Sequence, residues 1–76
     1  MSSVEIEYCV PCGFRDRALD VAEEILQASE NDLDDLSLVT GAHGVFEVRV
    51  DGKPVYDKDE QAFESAEIAA AVAEAL

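Results

Sequence analysis

The apolar period of the chain changes from two to nearly four within a few residues, and the change falls on Cys9-Val10-Pro11-Cys12. Before it, Val4, Ile6 and Tyr8 alternate with Glu5 and Glu7, the pattern of a strand with one buried face. After it, Ala18, Leu19, Ala22, Ile25 and Leu26 recur at intervals of three and four, with Asp16, Asp20, Glu23 and Gln27 on the other side. That spacing predicts an amphipathic helix over residues 11–28. A strand must therefore feed directly into a helix, with both cysteines of the 76-residue chain at the junction. The loop SENDLDD, residues 29–35, ends the helix.

Beyond that loop, LSLVT (36–40) reads as a short strand, and the two glycines of GAHG (41–44) mark a turn or a close backbone approach. VFEVRV (45–50) places Phe46, Val48 and Val50 on one face and Val45, Glu47 and Arg49 on the other. Phe46 is expected in the core. Asp51-Gly52 suits a type I′ hairpin, whose two central residues need positive φ. KPVYD should then return antiparallel, and Pro54, which has no amide hydrogen for a ladder, puts that strand at a sheet edge. Ser65 is the expected cap of a last helix in which Ile68, Val72 and Leu76 form a seam beside the small Ala69 and Ala73. The order β-α-β-β-β-α, with a parallel crossover followed by a hairpin, gives an α/β fold: a four-stranded mixed sheet covered by two helices. That is the arrangement of a small thioredoxin-like domain, here one domain over residues 1–76.

Composition limits the partners. Eighteen acidic residues face five basic ones, for a formal net charge of −13, where a small domain usually carries a magnitude of about 2–8. The acids are spread over both helices and the loops, so nucleic acid and anionic membrane are excluded as natural partners. Such a shell suits a salty cytosol, as in a halophilic archaeon, because at about 1 M salt the Debye length falls to about 3 Å and self-repulsion is screened; the alternative is a docking surface for a basic partner. The apolar run IAAAVA is too short to cross a bilayer, and MSSVEIEY lacks the basic and apolar blocks of an export signal. The expected location is cytoplasmic.

The position of the cysteine pair is chemically significant. A helix N-terminus presents unpaired amide hydrogens and partial positive charge, which favour thiolate over thiol. An ordinary thiol with pKa near 8.5 is only about 3% ionised at pH 7, so each unit of depression raises the reactive fraction nearly tenfold until it saturates. Pro11 is expected in the first helical turn, where its missing amide hydrogen costs nothing. Arg15 and Arg17 follow closely, stand out against the acidic background and are candidates to help hold a thiolate, with ordinary surface charge balance on a helix the equal alternative. A purely structural bridge would constrain little, because the loop it closes is so short. Structural zinc takes four ligands, and the only further candidate, His43, sits in a glycine-bounded loop. Copper(I) suits two thiolates, and ferredoxin-like metallochaperones are of similar length with C-x-x-C after the first strand, but they run β-α-β-β-α-β, and here nothing strand-like follows the last helix. Thiol–disulfide exchange by Cys9 and Cys12 without cofactor or resident metal is the favoured reading. Its partners would be thiol or disulfide protein substrates and an external reductant. The alternative is a non-catalytic module that binds soft metal, copper or zinc, or a partner protein through the same loop.

Two stretches, VEIEYCVPCGFRDRALDVAEEIL and TGAHGVFEVRVDGKPVYDK, carry a resemblance to the Rdx family, the selenoprotein W-like group of small thioredoxin-fold proteins. The first is similar to that family's strand, C-x-x-C or C-x-x-selenocysteine, Gly-aromatic pair and helix. The second is similar to its threonine-glycine, Gly-x-Phe-Glu-Val and x-Gly-Lys hairpin. The resemblance implies a redox protein in which Cys12 holds the selenocysteine position and Cys9 matches the paired cysteine. Thioredoxin logic makes the first cysteine the attacker, whereas the selenium position points to the second, and the residues leave both open. Where thioredoxins carry a cis-proline opposite the dithiol, this chain has Gly44-Val45, and Thr40, Gly41 and Gly44 become candidates for the facing wall. Pro11, Gly13 and Arg15 are the candidate supporting residues on the cysteine side.

Overall fold

The computed structural model describes residues 2–76. Strand β1 (Ser2–Cys9) leads through a turn into α1 (Arg15–Ser29), a single 3-10 turn (Glu30–Asp32) and β2 (Leu33–Gly41). Strands β3 (Phe46–Val50) and β4 (Lys53–Asp57) form a hairpin, and α2 (Ser65–Ala75) ends the chain. The sheet order is β2-β1-β3-β4. β1 runs parallel to β2 and antiparallel to β3, and β4 is the antiparallel edge strand. This is the expected β-α-β-β-β-α order with a mixed sheet.

Both helices lie on one face of the sheet. Val4, Ile6, Tyr8, Phe46, Val48, Val50 and Tyr56 form a single buried cluster with Ala18, Val21, Ala22 and Ile25 of α1 and Ile68, Ala69 and Val72 of α2. The period-two alternation of β1 and β3 is thus read out as burial, with every second residue under a helix. The opposite face is polar. There Glu5, Glu7 and Glu47 converge on Arg49, whose Nε lies 3.6 Å from Glu5 and whose Nη1 lies 3.1 Å from Glu7 and also bonds Glu47. The cross-strand register that sets Glu5 opposite Arg49 and Glu7 opposite Glu47 brings the four together. The hydrogen bond to Glu47 is the main reason the Arg49 pKa is held above its ordinary value.

The hairpin follows its turn chemistry. Asp51 and Gly52 have φ of 52° and 85°, both positive as a type I′ turn requires. The Asp51 carboxylate accepts from the Ser3 amide at 3.0 Å, and the Asp51 amide donates to the Ser3 carbonyl at 2.9 Å, so the turn is tied to the start of β1. Pro54 lies on the edge strand opposite Arg49, beside a register shift.

Several boundaries differ from the sequence reading. α1 starts at Arg15, four residues later than Pro11, because residues 10–13 close a separate turn. Its buried face carries Val21, while Leu19 and Leu26 are 49% and 38% exposed. The SENDLDD segment is not all loop: β2 begins within it at Leu33, which packs against the core, and the parallel ladder runs the whole length of β1. Glu64, not Ser65, caps α2, its carboxylate accepting from the Ala66 amide at 3.2 Å, where a negative charge also meets the positive helix end. Ala73 is exposed instead of packed. Among the described residues no helix is long and apolar enough to cross a membrane.

Candidate functional site

Cys9 is the last residue of β1, and backbone bonds anchor the chain there on two sides. Its amide donates to the Val45 carbonyl at 2.8 Å, and the next amide, of Val10, donates to the Gly41 carbonyl at 3.1 Å. Wedged between the end of β2 and the approach to β3, Cys9 is fully buried. The chain then reverses. Gly13 donates to the Val10 carbonyl at 3.1 Å and Phe14 to the Cys9 carbonyl at 3.4 Å. Val10-Pro11-Cys12-Gly13 is thereby a β-turn with proline at its second position, where a preset φ is favoured, and glycine at its fourth. Pro11 serves this turn and not a helical one. Gly13 has φ +76° with open space around it, so backbone conformation alone makes glycine the preferred residue there.

The turn brings Cys12 back to Cys9, their Cα atoms 5.3 Å apart, and the two form a disulfide. Their surroundings are unequal. Cys9 has no accessible surface, whereas Cys12 is exposed at the tip of the turn. Helix α1 begins three residues later behind Phe14, and no side chain caps its N-terminus.

The supporting residues divide into those beside the bridge and those that act at a distance. Thr40, Gly13 and Arg15 line a groove of about 450 Å³ next to the turn, together with Tyr8, Val10 and Asp16. Gly41 pairs with Cys9 across the β1–β2 ladder; a Cβ on it would lie 2.8 Å from Val45 Cγ1 and 2.9 Å from Glu7 Oε2, so a larger residue there would have to displace those two side chains beside the strand ends. Gly44, at φ +78°, shapes the turn whose last residue, Val45, receives the Cys9 amide. Arg17 is turned to another use. Its guanidinium sits 5.0 Å from the centres of both Phe14 and Phe63. Those rings, with Tyr56, each meet Phe46 edge-on at 5.7–6.2 Å between centres. The residue that follows the dithiol turn is therefore locked onto the core and onto the loop before α2. Phe14 is visible in the sequence only as the aromatic of the Gly-aromatic pair, and Phe63 lies in a stretch without periodicity and carries no signal. His43 is exposed at φ 62°, and no cluster of three metal-ligating side chains occurs among the described residues.

The sequence profile of the Rdx family matches residues 3–74. The chain belongs to the Rdx family. This Rdx protein superposes on the crystal structure of a Bordetella parapertussis protein with a TM-score of 0.89 and 31% sequence identity, over 99% of this chain and 98% of the other. It shares its fold with a selenoprotein W-related protein from Vibrio cholerae, at a TM-score of 0.87 and 24% identity over 97% and 95% of the two chains. Comparison with curated protein sequences returns no match. The Rdx assignment makes a thioredoxin-like redox module the class to which the closed Cys9–Cys12 pair belongs.

Proposed function

We propose that this Rdx protein carries out thiol–disulfide exchange, with Cys12 as the attacking sulfur and Cys9 as the resolving one. The observation that carries the assignment is the burial asymmetry: only Cys12 is open to a substrate, while Cys9 is sealed between strand ends. In the reduced protein the Cys12 thiolate attacks one sulfur of a substrate disulfide. The substrate's own bond breaks, its other sulfur leaves as a thiolate, and a mixed disulfide forms. Cys9 then gives up its proton and attacks the Cys12 sulfur, releasing the second substrate thiolate and closing the Cys9–Cys12 bridge. Two electrons pass to the substrate, and an external thiol reductant restores the dithiol. The uncapped α1 N-terminus near Cys12 favours the thiolate. The setting is a cytosol of high salt, supported by the acidic surface, and the substrates are proteins with accessible thiols or disulfides.

The test is a pair of serine variants reacted with a disulfide-bonded protein substrate. Cys9→Ser should accumulate a mixed disulfide that survives gel electrophoresis without reductant, Cys12→Ser should accumulate none, and turnover by both should fall to background. Full turnover by both variants, or trapping by Cys12→Ser alone, would remove this assignment.

A further inference from the structure

The large apolar side chains left exposed among the described residues are Val10, Leu19, Leu26 and Leu38, and they fall along one side of the molecule. On α1, Ala18 and Ile25 point into the core. Arg17, one residue before Ala18, reaches Phe63 in the loop before α2 and so marks the α2 side of the helix. Leu19 and Leu26, one residue after Ala18 and Ile25, are rotated by about 100° in the opposite sense and face the β2 side. Leu38 and Thr40 stand opposite Ile6 and Tyr8 in the parallel ladder, so they point to the same face as those core residues. One helical turn on from Asp16, which lines the groove beside the dithiol turn, a second hollow of about 470 Å³ is lined by Leu19, Ala22 and Leu26 with Glu23, Gln27 and Glu30. Asp16, Glu23 and Glu30 put carboxylates on the walls of the two hollows. Arg15 is the one basic side chain lining these two hollows.

We propose that the two hollows form one channel, from the Val10–Gly13 turn along the β2 side of α1, which seats the cysteine-bearing segment of the substrate protein, an extended stretch carrying lysine or arginine beside aliphatic side chains. The proposal rests on the exchange reading above and adds the chemistry of its substrate. The aliphatic floor takes aliphatic side chains, the carboxylate rim takes ammonium or guanidinium groups, and the free edge of β2 offers backbone partners to an extended chain. Val10 and Gly13, the residues that flank Pro11-Cys12 in the turn, line the upper hollow, so a segment lying in the channel presents its cysteine beside Cys12. A second copy of this chain is the wrong occupant, because it brings a charge of −13 and the same acidic rim to a like-charged surface.

The test uses Cys9→Ser protein and three peptides of equal length, each with its one cysteine in a mixed disulfide with thionitrobenzoate. One peptide has leucine and lysine flanks, one leucine and glutamate, one serine and lysine. Cys12 thiolate attacks the peptide cysteine sulfur, thionitrobenzoate leaves with the electron pair, and its colour gives the rate. The leucine–lysine peptide should react about tenfold faster than either other peptide, and molar salt should shrink its lead over the leucine–glutamate peptide. Adding Leu19→Ser and Leu38→Ser should lower the ratio of its rate to that of uncharged dipyridyl disulfide by about the same factor. Equal rates for the three peptides while dipyridyl disulfide is still consumed would overturn the docking proposal and leave the exchange reading standing. Self-association in sedimentation equilibrium that Leu19→Ser and Leu38→Ser abolish would overturn it in favour of a second copy. No reaction even with dipyridyl disulfide would remove the exchange reading and this proposal together.

Discussion

Two residues separate Cys9 from Cys12, and yet one sulfur is enclosed by the ends of three chain segments while the other stands at the tip of a turn. The difference comes from backbone bonds: the amides of Cys9 and Val10 bind the strand end to Val45 and Gly41, and the turn that carries Cys12 closes through Gly13, which takes the left-handed conformation. Below the turn the aromatic cluster sets a pH dependence. Tyr56 is buried, its hydroxyl donating to the Gln61 carbonyl at 3.3 Å, and burial, which penalises the phenolate, holds its pKa above the ordinary 10.0 against the opposing pull of Arg17 and Lys58. A folded-state pKa raised in this way contributes stability that is fully present below pH 10 and is lost as pH rises through the folded value. Tyr56→Phe should therefore cost no more than about 1 kcal/mol near neutrality and should remove part of the alkaline loss of stability. Urea denaturation at about pH 8 and about pH 11 checks both; identical alkaline losses in the two proteins would contradict the role given to Tyr56.

At the scale of elements, legibility in the sequence followed how local the determining interaction is. The Asp51-Gly52 hairpin, the edge position of Pro54 and the alternation of β1 and β3 were all readable, because a turn's φ requirements and a strand's period are set by adjacent residues. The start of α1 was not. Pro11 and Gly13 suit the first turn of a helix and a separate β-turn about equally well, and the choice was made by the amides of Cys9 and Val10 pairing with Val45 and Gly41, residues distant in sequence. The first half of β2 is hidden by its own acids: Asp34 and Asp35 read as loop, but on an outer strand carboxylates can face solvent. The dithiol is legible because its spacing and its place at the strand–helix junction are local, whereas the burial asymmetry of its two sulfurs and the seating of Arg17 on Phe63 depend on residues distant in sequence. Periodicity places Leu19 and Leu26 in the core with Ala18, Ala22 and Ile25; those three are buried, but Val21 joins them in place of the leucines.

Across the whole molecule, 18 carboxylates share five basic residues, and the basic residues are unevenly used. Arg49 alone serves Glu5, Glu7 and Glu47, Lys58 pairs with Asp59, and Arg17 rests on aromatic rings. Most of the negative charge therefore has only salt to screen it, and the melting temperature should rise from millimolar to molar salt, where the Debye length shrinks from tens of ångströms to about 3 Å. A thermal melt that is flat across that range would contradict the account of the surface. The central claim concerns sulfur: that Cys9 and Cys12 open and close in service of electron transfer, with the exposed sulfur giving outside thiols their access. Its most direct test is the fraction of bridge present after equilibration with graded glutathione and dithiothreitol couples. A reversible two-electron curve is expected, with its midpoint between about −180 and −270 mV, the window of exchanging disulfides. A bridge that stays closed below about −300 mV, as structural disulfides do, or thiols that never close, would contradict it.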